Sequence, residues 1–238
     1  MRKLKIDKDL KFLLCVLLFV LAAGVLFFLI SLVVTIYGEK LSSKDICISN
    51  SCLEYFFKKT ESVMKILQAT AWLLTLVATV GGIAIAVMTY KSGVKNSNLT
   101  NHISHLNMFR DYVNAEIGKR KFISSDKVNI YRWYSTIFPK SKKGDVSVSE
   151  MYLEKIEDIK DVIVKANQKI SLPGGKYSYK EHQIEFVNKV GLLGIKVSTG
   201  PKNDFILIEE QVFELVDCIN ITFTDIDTEL AAIKRLYT

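Results

Sequence analysis

Residues 66–90, ILQATAWLLTLVATVGGIAIAVMTY, run for 25 positions without Asp, Glu, Lys or Arg. At about 1.5 Å of rise per residue, such a helix reaches roughly 37 Å, more than the ~30 Å hydrocarbon core of a bilayer requires. Residues 12–38, FLLCVLLFVLAAGVLFFLISLVVTIYG, repeat the pattern over 27 positions. A buried soluble helix of that length and apolarity is unusual, so the two runs imply two membrane crossings, tilted or extending into the headgroups. The expected fold class is mainly α: two N-terminal transmembrane helices, then a mostly helical cytoplasmic domain with short strands admissible near the C-terminus.

A cleaved signal peptide competes for the first run, because Arg2, Lys3, Lys5, Lys8 and Lys11 resemble a basic leader and Ala22-Ala23-Gly24 supplies small residues. A signal core spans only about 7–15 residues. Here the apolar run continues past Gly24 through Phe27, Phe28, Leu29 and Ile30. It reads as a retained anchor.

Orientation follows from the density of Lys and Arg beside the spans. The tail carries five in eleven residues, residues 39–65 carry five in 27, and Lys91 and Lys95 follow the second span. This gives a basic cytoplasmic tail (1–11), a first transmembrane helix (12–38), a periplasmic loop (39–65), a second transmembrane helix (66–90) and a cytoplasmic helical domain (91–238). Both termini face the cytoplasm. Cys47 and Cys52 lie in the loop, where an oxidising compartment permits a disulfide; two free thiols are the alternative. Cys15 and Cys218 stand alone, as suits a reducing side.

The net charge of +7 divides as +3 in the tail, +1 in the loop and +3 beyond residue 90. The soluble part is thus nearly balanced, and the basic excess is mostly an orientation device, not evidence for nucleic-acid binding. Its dense basic clusters are Lys119, Arg120, Lys121 and Lys140, Lys142, Lys143, which are candidate partner contacts or simply solvated helix-end and loop cations.

Beyond a short polar linker at 91–98, Ile103, Leu106, Phe109, Tyr112, Val113 and Ile117 recur at helical spacing, with Asn98 or Thr100 as N-cap. A second helix is expected over 125–138, with Tyr131, Tyr134, Ile137 and Phe138 inward and Pro139 as its stop. Ser147 and Glu150 have capping-box spacing before a helix whose inward face is Leu153, Ile156, Ile159, Ile163, Ala166 and Ile170. Leu172-Pro173-Gly174-Gly175 ends it. Another helix is expected over 178–193 through Ile184, Val187 and Val190. Residues 205–216 and 219–223 read equally as strand or helix, and a short helix is expected near 228–236.

Catalytic motifs are not found. Gly175-Lys176 resembles the end of a phosphate-binding loop, but Ile170 stands where its first Gly belongs and Tyr177 where Ser or Thr would hold a metal. Asp225-Ile226-Asp227-Thr228 resembles a phosphatase nucleophile strand, yet eleven residues after Asp227 cannot complete that domain; Thr224 or Asp225 capping the last helix is the better reading. His102 and His105 share a helix side, but His182 is the sole further histidine. Packing or surface roles are expected, with no metal and no cofactor. The chain reads as a non-enzyme.

On the second span, Gln68, Ala71, Thr75, Ala78, Thr79, Gly82, Ala86 and Thr89 fall along one face, opposite Leu73, Leu74, Leu76, Val77, Val80, Ile83 and Val87. Small residues four apart let helix backbones approach closely in lipid. Two occupants are open: the first span, through Gly24, Ser31 and Thr35, or further copies arranged as a homo-oligomer around a Thr-lined pore.

Two N-terminal spans, a cysteine-bearing loop and a domain opening with Asn101-His102-Ile103-Ser104-His105-Leu106, then Phe109, Tyr112 and Glu116-Ile117, resemble the two-helix transmembrane effectors of bacterial retron antiphage systems, of the type associated with the Ec48 msDNA. The resemblance implies an antiphage toxin restrained by the retron reverse transcriptase and its msDNA. When a phage disables the host nuclease that the retron monitors, release of the toxin permeabilises the inner membrane and gives abortive infection. Membrane lipid, reverse transcriptase and msDNA are the partners so implied. The alternative is a membrane-anchored regulatory or scaffold protein with a non-catalytic helical interaction domain.

Overall fold

The computed structural model describes residues 3–39 and 50–238, and side chains from Lys8 onward within the first of these segments. Among the described residues are six α-helices: α1 (Lys3–Gly38), α2 (Asn50–Gly118), α3 (Ile130–Ile137), α4 (Glu150–Ser171), α5 (Tyr179–Leu193) and α6 (Lys202–Phe223). The described residues form no strand, only an isolated antiparallel bridge between Val128 and Ile195. The mainly α expectation holds, and the ambiguous stretches 205–216 and 219–223 belong to one helix, α6.

The chain divides into two compact units, Met1–Val94 and Lys95–Thr238, and α2 contributes to both. In the first unit, α1 and α2 are long and apolar enough to cross a membrane, and the most apolar window of each buries none of its residues within the chain. Phe12, Phe19 and Trp72 stand 70% exposed or more. Soluble core helices would hide such side chains; these two need a hydrocarbon solvent. Helix α2 begins at Asn50, inside the stretch read as the connecting loop.

It also continues through 91–98 without a break, so the expected linker and the N-cap at Asn98 or Thr100 are both corrected. No proline interrupts this stretch, and a helix already nucleated propagates at about one backbone bond per residue, outweighing the ~1 kcal/mol cost of Gly93. Thr100 donates to the Asn96 carbonyl at 3.0 Å and Asn98 to the Lys143 carbonyl at 2.8 Å.

The second unit packs around Phe109, Val113 and Ile117 of α2, one face at four-residue spacing. In α3, Trp133, Tyr134 and Ile137 are inward whereas Tyr131 is 60% exposed, so Trp133 takes the place expected of Tyr131. Asn129 starts this helix by accepting the Arg132 N–H, one turn later than expected. Ser149, not Ser147, caps α4 and accepts from the Tyr152 N–H; Ser147 is bound instead to Asp145. The inward side of α4 includes Tyr152 and Val162, while Leu153 and Ile170 face solvent. Helix α5 exposes Ile184 and buries Phe186 and Val190. It ends at Gly194 with φ 99°, where a Cβ would crowd the Asn129 carbonyl.

The expected helix near 228–236 is absent; that segment is irregular. Its backbone groups are satisfied from a distance. Asp217 accepts the N–H groups of Leu230 and Ala231, both at 2.8 Å, and Asn167 spans the Lys234 carbonyl and the Leu236 N–H. Leu230 and Tyr237 are buried by this docking. Thr224 therefore ends α6 rather than capping a further helix.

Candidate membrane-facing surface and partner contacts

Helices α1 and α2 run antiparallel in contact. Gly24 lies against Thr70 and Gly81 against Leu13, each so closely that a Cβ would overlap the neighbour's side chain. Glu39 pairs with Lys59 at 2.8 Å at one end. The partly or fully covered positions of α2 include Thr60, Val63, Thr70, Leu74, Val77 and Gly81. This alternation of three- and four-residue steps is the seam of two helices packed at a shallow angle.

The face predicted for packing lies elsewhere. Gln68, Ala71, Thr75, Ala78, Thr79, Gly82, Ala86 and Thr89 are all exposed, and a Cβ on Gly82 would meet nothing within 4 Å. Gly24, Ser31 and Thr35 do lie on the partly covered side of α1, but Gly24 meets Thr70 rather than this face. In the single chain α1 leaves the small-residue face uncovered. Adjacent glycines have opposite duties: Gly81 admits α1, and Gly82 remains open.

The threonine hydroxyls turn inward on their own helix. Thr75 donates to the Ala71 carbonyl at 2.9 Å, Thr79 to the Thr75 carbonyl at 2.8 Å and Thr89 to the Ile85 carbonyl at 2.9 Å. Each of these three hydroxyl donors is therefore satisfied in a single chain, as exposure to lipid requires. The lone pairs stay free to accept across a helix–helix contact.

In the soluble unit the basic clusters separate by burial. Arg120 is 7% exposed at its side chain, paired with Glu116 at 2.9 Å and facing Glu214 at 3.8 Å. It is a structural cation, unavailable to a phosphate. Lys119 pairs with Glu116 and Lys121 lies over the Phe122 ring. Lys140, Lys142 and Lys143 are exposed on a short 3-10 turn closed by Gly144. Glu116 holds its carboxyl below the ordinary range through hydrogen bonds from Lys119 and then Arg120.

The histidines pack. His102 Nδ1 lies 3.0 Å from the Ser141 hydroxyl and His105 Nδ1 2.9 Å from the Tyr134 hydroxyl. Burial, then the neighbouring His102, holds His105 below the usual histidine range. His182 meets the fully buried Glu209 at 2.8 Å, and Tyr237 also donates to Glu209. The recess beside His182 holds about 10 Å³, scarcely one water, so this pair anchors the C-terminal segment. The expected Cys47–Cys52 pairing lies outside the described residues, because Cys47 does; Cys15 and Cys218 are free thiols.

Two apolar helices in antiparallel contact, one carrying an open small-residue face, and a second, packed helical unit define a membrane protein. The chain belongs to the Retron Ec48 antiviral membrane protein family, whose model matches residues 57–227. It is 45% identical over 218 residues to an Escherichia coli protein named Retron Ec48 transmembrane protein, covering 91% of this chain and 93% of that one. No solved structure matches it. The chain is thus an antiviral membrane protein of a retron, and the sequence-level resemblance is confirmed.

Proposed function

We propose that this protein is the inner-membrane effector of its retron. It crosses the bilayer twice with both termini cytoplasmic, is silenced by the retron reverse transcriptase and msDNA, and on release permeabilises the membrane so that the infected cell dies. It acts without enzymatic chemistry. The observation that carries this reading is the open face of α2: α1 covers the other side, leaving Ala71, Thr75, Ala78, Gly82 and Ala86 exposed. Further copies of α2 can close on it through backbone approach at Gly82. No acidic or basic residue lies within 12–38 or 66–90, so the resulting path should discriminate weakly between cations and anions.

Expression without reverse transcriptase and msDNA tests the reading. Cells should depolarise and admit an impermeant dye before viability falls. Killing with the membrane potential intact would make α1 and α2 an anchor and place the activity in the soluble unit. Orientation is tested separately: a reporter fused after Thr238 should score as cytoplasmic and one inserted at Ser49 as exported, and the reverse pattern would overturn the topology.

A further inference from the structure

The bridge between Val128 and Ile195 sets Lys127 directly across from Lys196, whose N–H donates to the Lys127 carbonyl at 2.8 Å. Val128 and Ile195 are buried, so alternation along the two extended segments turns both lysines to the solvent face, where both are exposed. Like charges directly opposed across a strand pair destabilise it. Neither lysine forms an ion pair with a described acidic group. Asp126, the one carboxylate lining the neighbouring recess, accepts from the Ser124 hydroxyl and feels the Lys127 charge, but it forms no ion pair with either lysine. An anion held between two lysines at opposed backbone positions would relieve such a repulsion.

A recess lies on each side of this pair, and both lysines line both recesses. One, of about 360 Å³, is bordered by Tyr131 and Arg110. The Arg110 charge is partly spent on Asp111 at 2.9 Å, and Tyr131 stays 60% exposed. The other, of about 170 Å³, has an apolar lining that includes Phe122, Val197 and Ile208. An aromatic recess, a pair of cations and an apolar recess in sequence match base, phosphate and base along a strand.

We propose that this surface binds single-stranded nucleic acid, with a phosphate between Lys127 and Lys196 and a base against Tyr131. In naming a strand for the inhibitor, the inference rests on the silencing reading above; the binding itself rests on the geometry.

The test is fluorescence anisotropy of a labelled oligothymidine of about 12 nucleotides, within the site sizes of single-strand binders, with full-length protein in detergent over a salt series. Lys127→Gln with Lys196→Gln should weaken binding about tenfold or more near 0.1 M salt and reduce the salt slope by about 0.7 for the phosphate lost. Tyr131→Ala should weaken it about fivefold or more through lost stacking. The double variant should melt at or above the wild-type temperature at low salt, because a repulsion has gone; this separates loss of the site from loss of the fold. No binding by wild type, or equal binding by wild type and double variant, overturns the proposal. So does a double variant that loses affinity for phosphatidylglycerol nanodiscs but not for the oligonucleotide, which reassigns the patch to lipid. Loss of oligonucleotide binding with unchanged silencing by the retron partners in cells upholds the site and removes the silencing reading.

Discussion

Gly82→Leu should leave the protein in the membrane and abolish depolarisation. Leucine favours insertion, so abundance is not expected to fall, and the added side chain points into space that is empty within a single chain. Its effect appears only when a second helix approaches, by forcing the backbones apart at the position where they come closest. A loss of about 1.4 kcal/mol at each contact lowers association about tenfold, and an assembly of several copies multiplies that factor. Gly81→Leu is the internal control. Its side chain would collide with Leu13, so it should disturb the α1–α2 pairing and lower the amount of stable protein. If Gly82→Leu depolarises cells as fast as wild type at equal abundance, the open face is not the working surface.

Arg120→Leu should destabilise the soluble unit by about 3–5 kcal/mol, the cost of leaving a buried charge without its partner. Glu116 is 6% exposed and would keep only Lys119, whose side chain is 67% exposed. The comparison is thermal melting of the full chain against Lys142→Gln with Lys143→Gln, exposed changes expected to stay within about 0.5 kcal/mol. The pH dependence has a definite sign. Glu116 is held below the ordinary carboxylate range in the folded chain. Its contribution is therefore present above about pH 4.3, the unfolded value, and is lost as pH falls through the depressed one. The deficit of Arg120→Leu should be largest near neutrality and shrink in acid. Coincident melting curves for wild type and variant at pH 7 would contradict the structural role assigned to Arg120.

The uncharged runs 12–38 and 66–90 made the two apolar helices legible, because length and apolarity are local properties of the sequence. Which side of α2 meets α1 was not local. Gly81 and Gly82 differ by about 100° around the helix, and only Leu13 of α1 decides between them. The covered steps from Thr60 through Gly81 mix Thr, Val, Leu and Gly, so residue size alone left the occupant of the small face open. Tyr131 and Trp133 were exchanged for a related reason, since a helix as short as α3 leaves the phase of its apolar face poorly fixed. The run Phe205-Ile206-Leu207-Ile208 suits either secondary structure and is decided by burial within α6. The final segment escaped because Asp217 and Asn167, remote in sequence, replace the hydrogen bonds a helix would have supplied. Within the soluble candidates, Arg120 looked like its neighbours; only packing separates it from Lys119 and Lys121.

Cysteine cross-linking between copies tests most directly whether α2 works through its open face. With the four native cysteines replaced by serine, Ala78→Cys lies on that face and Leu74→Cys on the side covered by α1. Oxidation in membranes of cells that lack the retron partners should give a disulfide-linked dimer for Ala78→Cys and little for Leu74→Cys. Equal cross-linking at both positions, or cross-linking at Leu74→Cys alone, would contradict self-association through the small-residue face.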